Sequence, residues 1–200
     1  MGHPIFPFFW ASLFCLESNK MRDQIKTERL NLRRTNNADA ETMAQRINDP
    51  DILRMTATLP MPYFGLVAEF WLIRADANWR QRNSFAYAIT HNDDSIMGVV
   101  DLFKNSEDDW EIGYWIGKEF WGKGFMPEAA KALLTEGFRV FDAPYIDAGY
   151  FADNPASGRV LEKLGFVDKN EPSNLFSVAR GERFKGIELR LPRNTAARWQ

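Results

Sequence analysis

Two hundred residues suffice for one domain with a substantial core and leave little room for a second. Apolar residues make up 45% and charged residues 26%, with a formal net charge of -2, which excludes a disordered chain and a strongly basic nucleic-acid surface and suits a small or mixed partner. A single cysteine, Cys15, and two histidines, His3 and His91, exclude an internal disulfide framework or thiolate cluster, and no ligand spacing points to a metal.

The first twenty residues, MGHPIFPFFWASLFCLESNK, are an apolar run with two prolines and no Lys or Arg before it. They lack the basic start and small-residue cleavage point of a secretory signal, and Ile5 to Leu16 is too short to span a bilayer. The stretch is read as a dispensable extension, with targeting and a packed arm as the alternatives. Residues 1–26 are therefore set outside the fold, 27–193 form one domain, and 194–200 form a tail.

RLNLRR at 29–34 alternates as a half-buried strand, Asn36 or Asn37 caps a helix running to about Ile47, and NDPD stops it. Residues 62–80 are predicted as a helix with Pro62 in its first turn and Val67, Phe70, Trp71 and Arg74 at helical intervals. SFAYAIT at 84–90, SIMGVVDLF at 95–103 and DWEIGYWI at 109–116 form an antiparallel meander, the last placing Glu111 and Trp115 on the face opposite Trp110, Ile112, Tyr114 and Ile116. A helix follows from Phe125 to Phe141, then a strand at 144–151, a helix at 154–165 and a strand opened by GFV. A loop at 169–181 precedes a last strand at 183–191. The order implies an α/β fold with a mixed, mostly antiparallel sheet flanked by helices, not a doubly wound one.

Between the meander and its helix stands GKEFWGKGFMP, residues 117–127. It falls short of the nucleotide-triphosphate loop, because Gly124 follows where a Ser or Thr hydroxyl must reach magnesium. The dinucleotide fingerprint fails at Pro127. What survives is a glycine-relieved turn whose amides, at the start of a helix, can donate to a phosphate, with Lys123 adding charge; a tight turn without ligand is the plainer alternative.

Glu111 through Leu134, with FADNPASGRVLEKLGF at 151–166 and TERLNLR at 27–33, resembles the Gcn5-related N-acetyltransferase superfamily, in its branch of ribosomal-protein N-terminal acetyltransferases. The resemblance covers Thr27 to Leu191 and implies that strands 109–117 and 144–151 splay to admit the pantetheine arm of acetyl-CoA. It further implies that the first of them, through Trp115 and Ile116, bonds that arm, and that Trp121, Gly122, Lys123, Gly124, Phe125 and Met126 hold the diphosphate. Trp121 replaces the family's basic or amide residue and Met126 its small one, so a narrowed cradle and weaker affinity are expected.

On the same resemblance Glu111 is the candidate general base, Asn154 and Ser157 meet the cofactor arm, and Ser157 is a candidate proton donor to the thiolate. The plainer alternatives are a strand-pairing Glu111, Asn154 as the helix cap of DNPAS, and Ser157 in a first helical turn. Arg159 and Lys163 share a helix face that could meet the 3'-phosphate or solvent alone. Many relatives carry a tyrosine after the asparagine as general acid, where this chain has Leu161 and Glu162.

The reading is thus a cytoplasmic N-acetyltransferase moving acetyl from acetyl-CoA directly to a primary amine, either a protein N-terminus or a small molecule, in a ternary complex. The alternative is a non-catalytic CoA-binding or sensing module. No nucleic acid and no stable membrane insertion are expected. The acceptor should enter by the 62–80 helix, the turn at 91–94 and the loop at 169–181, and the helix, with Trp71 and Trp79, can form a homodimer face. Deleting residues 1–20 should leave CoA affinity unchanged.

Overall fold

The computed structural model describes residues 20–92 and 94–199; His3, Cys15 and the rest of residues 1–19 lie outside the described residues, as does Asp93. Strands β1 (Gln24–Lys26) and β2 (Asn31–Arg34) open the fold. Asn36 then caps a 3-10 turn, its side chain accepting from the Ala38 amide while the Asp39 carboxylate accepts from the Asn36 amide, and α1 (Ala40–Ile47) continues from it. Helices α2 (Pro50–Leu53) and α3 (Gly65–Gln81) precede the meander of β3 (Ser84–Thr90), β4 (Gly98–Lys104) and β5 (Trp110–Ile116). After α4 (Phe125–Val140) come β6 (Tyr145–Phe151), α5 (Pro155–Lys163), β7 (Val167–Asp168), β8 (Ser173–Ser177), β9 (Glu182–Pro192) and α6 (Arg193–Ala196).

The strands form one sheet in the order β1-β2-β3-β4-β5-β6-β9-β7, with β8 paired to β9. Every pairing is antiparallel except β5 with β6, so the mixed, mostly antiparallel sheet flanked by helices is the observed architecture. One apolar cluster lies beneath α4 and α5, holding Leu102, Ile112, Leu133, Leu134 and Ile146. The other lies beneath α1 and α3, holding Met43, Ile47, Leu72, Ala88 and Val99. Because both faces are covered, β3 is buried along its whole length, although its sequence also contains small and polar residues. Helix α4 approaches β4 closely through Gly137, where an added β-carbon would stand 2.5 Å from Leu102 Cδ1.

Four expectations are corrected. The fold starts before Thr27: Met21 is buried in the first cluster, the Tyr87 hydroxyl donates to the Arg22 carbonyl, and β1 extends the sheet. Residues 194–199 likewise pack on the domain, with Ala196 buried and Trp199 against the first cluster. Pro62 lies ahead of α3, whose inward face is Ala68, Leu72, Ala75 and Trp79, while Phe70, Leu66 and Ile73 are exposed. That helix is apolar on nearly every side, so spacing alone does not say which stripe is buried. Within 169–181, β8 forms by pairing with β9, a tertiary partner that a short polar segment does not announce. Among the described residues no helix is long and apolar enough to cross a membrane.

Candidate active site

The sheet carries a gap at its centre. β4 and β5 pair along their whole length, as do β6 and β9, but β5 and β6 meet only at Glu111 and Asp147 near their starts and diverge beyond. The register also fixes which main-chain groups face the gap. The Gly117 amide donates to Met97 O, so alternation turns the amides and carbonyls of Trp115 and Gly113 toward β4 and those of Tyr114 and Ile116 toward β6. A cleft of about 1020 Å³ occupies the divergence and runs from Asp101, Glu111 and Trp71 to Trp121, Gly122 and Asn154.

At one end of the cleft α4 begins. Gly122 and Gly124 have φ of 74° and 76°, the left-handed region in which glycine carries no side-chain penalty, and no atom lies within 4 Å of where a Gly122 β-carbon would be. Among the described residues no acceptor takes the amides of Gly122, Lys123, Gly124, Phe125 or Met126. These donors and the positive end of the helix dipole make a site for an anion, and Pro127 removes no amide that the helix needs. The turn is held from outside: Arg29 donates to the Lys123 carbonyl at 3.0 Å and, through Nε, to Glu128 at 2.7 Å, while the Thr27 hydroxyl donates to Glu128 at 2.6 Å. The TERLNLR stretch thus buttresses the loop. Arg159 and Lys163, from α5, add positive charge to the lining.

At the apex stands Glu111. Its carboxyl is half-buried and pushed up to about 7, first by burial and then by the Glu188 carboxylate, so near neutral pH it exchanges a proton readily. Asp147 beside it is already paired: Arg190 donates to both its oxygens at 2.7 Å and Lys169 approaches at 3.4 Å.

On the opposite wall Asn154 caps α5, accepting from the Ser157 amide at 3.2 Å. The Ser157 hydroxyl donates to Tyr114 Oη at 3.0 Å, and Tyr114 in turn donates to the Ser157 carbonyl at 3.2 Å. Burial raises the Tyr114 hydroxyl above its ordinary value. A tyrosine hydroxyl therefore does reach this wall, but from β5 and not from the helix after the asparagine.

Of the residues singled out from sequence, Glu111, Trp115, Ile116, Trp121, Gly122, Gly124, Phe125, Met126, Asn154 and Ser157 line one cleft, and Lys123 stands outside its lining with its ammonium 5.8 Å from the Phe120 ring centre. The Trp121 indole donates to the Ile116 carbonyl at 2.9 Å, occupying one main-chain acceptor on the gap. Met126 is buried in the first cluster and borders the cleft only from there, so its bulk serves the core. Among the described residues, the expected acceptor rim contributes Trp71 but nothing from 91–94 or 169–181; Asp94 pairs with Arg33, and residues 51–52 and 54–59 form the mouth instead. Sequence reasoning missed Asp101, whose one signal was an acid interrupting an apolar strand. Among the described residues no cluster of three His, Cys, Asp or Glu could hold a metal.

Comparison with known proteins bears on this geometry. The family model described as "Acetyltransferase (GNAT) domain" matches residues 29–167. The chain is 32% identical over 158 residues to the protein YkkB of Bacillus subtilis, covering 72% of this chain and 85% of that one. Among solved structures, the ribosomal-protein-S5-alanine acetyltransferase of Vibrio fischeri superposes with a TM-score of 0.72 at 20% identity, over 84% of this chain and 96% of that one. RimJ of Mycobacterium smegmatis in complex with CoA-disulfide gives 0.72 at 18% identity, over 84% and 87%.

Proposed function

The chain belongs to the acetyltransferase (GNAT) domain family, and on that premise we propose that it moves an acetyl group from acetyl-CoA directly to a primary amine within a ternary complex. The acceptor is a protein N-terminus, as the names of the ribosomal-protein relatives suggest, or a small-molecule amine. On the same reading the protein works in the cytoplasm. One observation carries the proposal: the unclaimed amides of residues 122–126 open onto a gap in the sheet that has a near-neutral carboxyl at its apex.

The amides of Gly122 to Met126 hold the diphosphate, and the Tyr114 main chain with the Ile116 amide, turned toward the gap, bonds the arm as a neighbouring strand would, the Ile116 carbonyl being taken by Trp121. Glu111 takes the proton of the incoming ammonium, directly or through one water, leaving a neutral nucleophile. A main-chain amide of β5 facing the gap supports the oxyanion of the thioester carbonyl. For the leaving thiolate, rotation of the Ser157 hydroxyl turns its proton into the cleft while its oxygen accepts from Tyr114, so the pair acts as one donor. No covalent enzyme intermediate is needed.

The half-buried, near-neutral Glu111 favours this reading over a non-catalytic CoA-binding module, for which the acid would be remote and solvent-paired. The test is calorimetry with CoA followed by assay of thiol release from acetyl-CoA across peptides with free N-termini and small amines. CoA binding with thiol release is expected. CoA binding without turnover on any acceptor transfers the case to the sensing module, and absence of CoA binding overturns both.

A further inference from the structure

Asp101 is a carboxylate that the mechanism above does not use. It stands on β4 opposite Gly113, so no β5 side chain separates it from the cleft that it lines. Glu111 pairs with Phe103 on the same face, which makes Asp101 and Glu111 diagonal neighbours about 7–8 Å apart at the backbone. The Asp101 carboxylate leans toward β3, and both acids line the one cleft.

Its own surroundings fix it in place without neutralising it. The Ser84 hydroxyl donates to both Asp101 oxygens at 2.9 Å and the Phe85 amide to one at 3.0 Å. Among the described residues no cation forms an ion pair with it, unlike Asp147, which Arg190 and Lys169 hold in the same sheet. A half-buried carboxylate without a counter-charge is costly to maintain, and a cationic ligand removes that cost. Burial pushes the Asp101 carboxyl up to about 6, against the lowering effect of Ser84 and Phe85, so at neutral pH it is largely ionised.

The cleft that the two acids line also carries the apolar side chains of Leu59, Trp71, Val99 and Phe103, while Glu188 and Asp147 add negative charge beside Glu111. At the mouth Arg180 is held by Asp153 at 2.8 Å and Arg54 stands 3.6 Å from Asp51, while the carboxylates gathered around Glu111 disfavour an acidic group on the ligand.

We infer that Asp101 is the recognition carboxylate for the acceptor, and that the acceptor class is a primary ammonium carried on an apolar or aromatic body with no acid group beside it. Asp101 is a specificity-determining residue, distinct from Glu111, which removes the proton. The inference rests on the acetyl-transfer reading for what happens next but not for the binding itself.

Two probes of matched shape separate charge from fit: 2-phenylethylamine, an ammonium at neutral pH, and O-benzylhydroxylamine, uncharged there. Calorimetry on the full chain, alone and with CoA, should show the ammonium bound about tenfold more tightly. Asp101→Asn, which keeps the shape and the contacts to Ser84 and Phe85, should bring the two affinities within about threefold by weakening the ammonium alone. Asp101→Glu should restore part of the preference. Ser84→Ala, which keeps the charge but frees the carboxylate, should reduce the preference without abolishing it, and reads the same property if Asp101→Asn fails to fold. Equal affinities in the wild type, or an unchanged preference in folded Asp101→Asn and Ser84→Ala, would overturn the inference. Ammonium preference lost in Asp101→Asn without any CoA binding would keep the inference and remove acetyl transfer; thiol release without ammonium preference would do the reverse.

Discussion

On the proposed mechanism Glu111 is the residue on which the chemistry turns, and its shifted acidity gives it two separable signatures. As the base it must be ionised, so kcat/KM should rise through about pH 7 as its proton leaves. Glu111→Gln should lower kcat by about 10²–10⁴-fold and remove that limb from the pH profile. The effect on stability has the opposite sign. An acid raised from 4.5 to about 7 holds its proton longer in the folded state, so stability is greatest below about 4.5, falls as pH rises and reaches its full loss above about 7. Glu111→Gln should therefore stabilise the protein at pH 8 by on the order of 2 kcal/mol, less than the full shift because the cleft admits water, and change little near pH 4. Thermal melts at the two pH values check this; destabilisation at pH 8 would mean that Glu111 is held by structural bonds. The type and place of Glu111 could be read from the chain, and Trp115 on its face pointed to a raised acidity, but the extent could not, because it comes first from burial in the folded cleft and then from Glu188, on a strand more than seventy residues away.

At the scale of elements, the turn into α4 depends on backbone geometry more than on side chains. Gly122→Ala should cost about 1 kcal/mol from the left-handed conformation alone, since no atom obstructs the new methyl group. That methyl would enter open space in the cleft that Gly122 lines, where the diphosphate is proposed to sit, and CoA affinity should fall about tenfold. Gly181→Ala is the matched control: its φ is 72°, the space around it is equally open, and it lies in the turn between β8 and β9 away from the cleft. Calorimetry showing equal CoA affinities for the two variants would remove the diphosphate from this turn. Here the glycines and the proline made the element legible locally. The mouth of the cleft was not, because α2 and the segment after it come near β4 and β5 only when α1 and α3 pack on the sheet.

For the whole molecule, the N-terminal boundary is a question of stability. Met21 contributes a fully buried side chain to the cluster beneath α4, and Arg139 and Glu136 hold the Lys20 carbonyl and the Arg22 amide. Met21→Ala should lower unfolding free energy by about 2–4 kcal/mol in denaturant titration, with CoA affinity little changed in the protein that remains folded. An effect below about 0.5 kcal/mol would return the boundary to Thr27. The sequence by itself determined the longer helices, the meander and the glycine turn before α4, because hydrophobic period, caps and glycines act within a few residues of one another. Only the tertiary structure decided which face of α3 is buried, that β8 exists, that Tyr114 meets Ser157 and that Asp101 stands beside Glu111. Each of these depends on contacts between segments far apart in the chain, where strand register and the packing of helices on the sheet choose among partners that local sequence leaves equivalent.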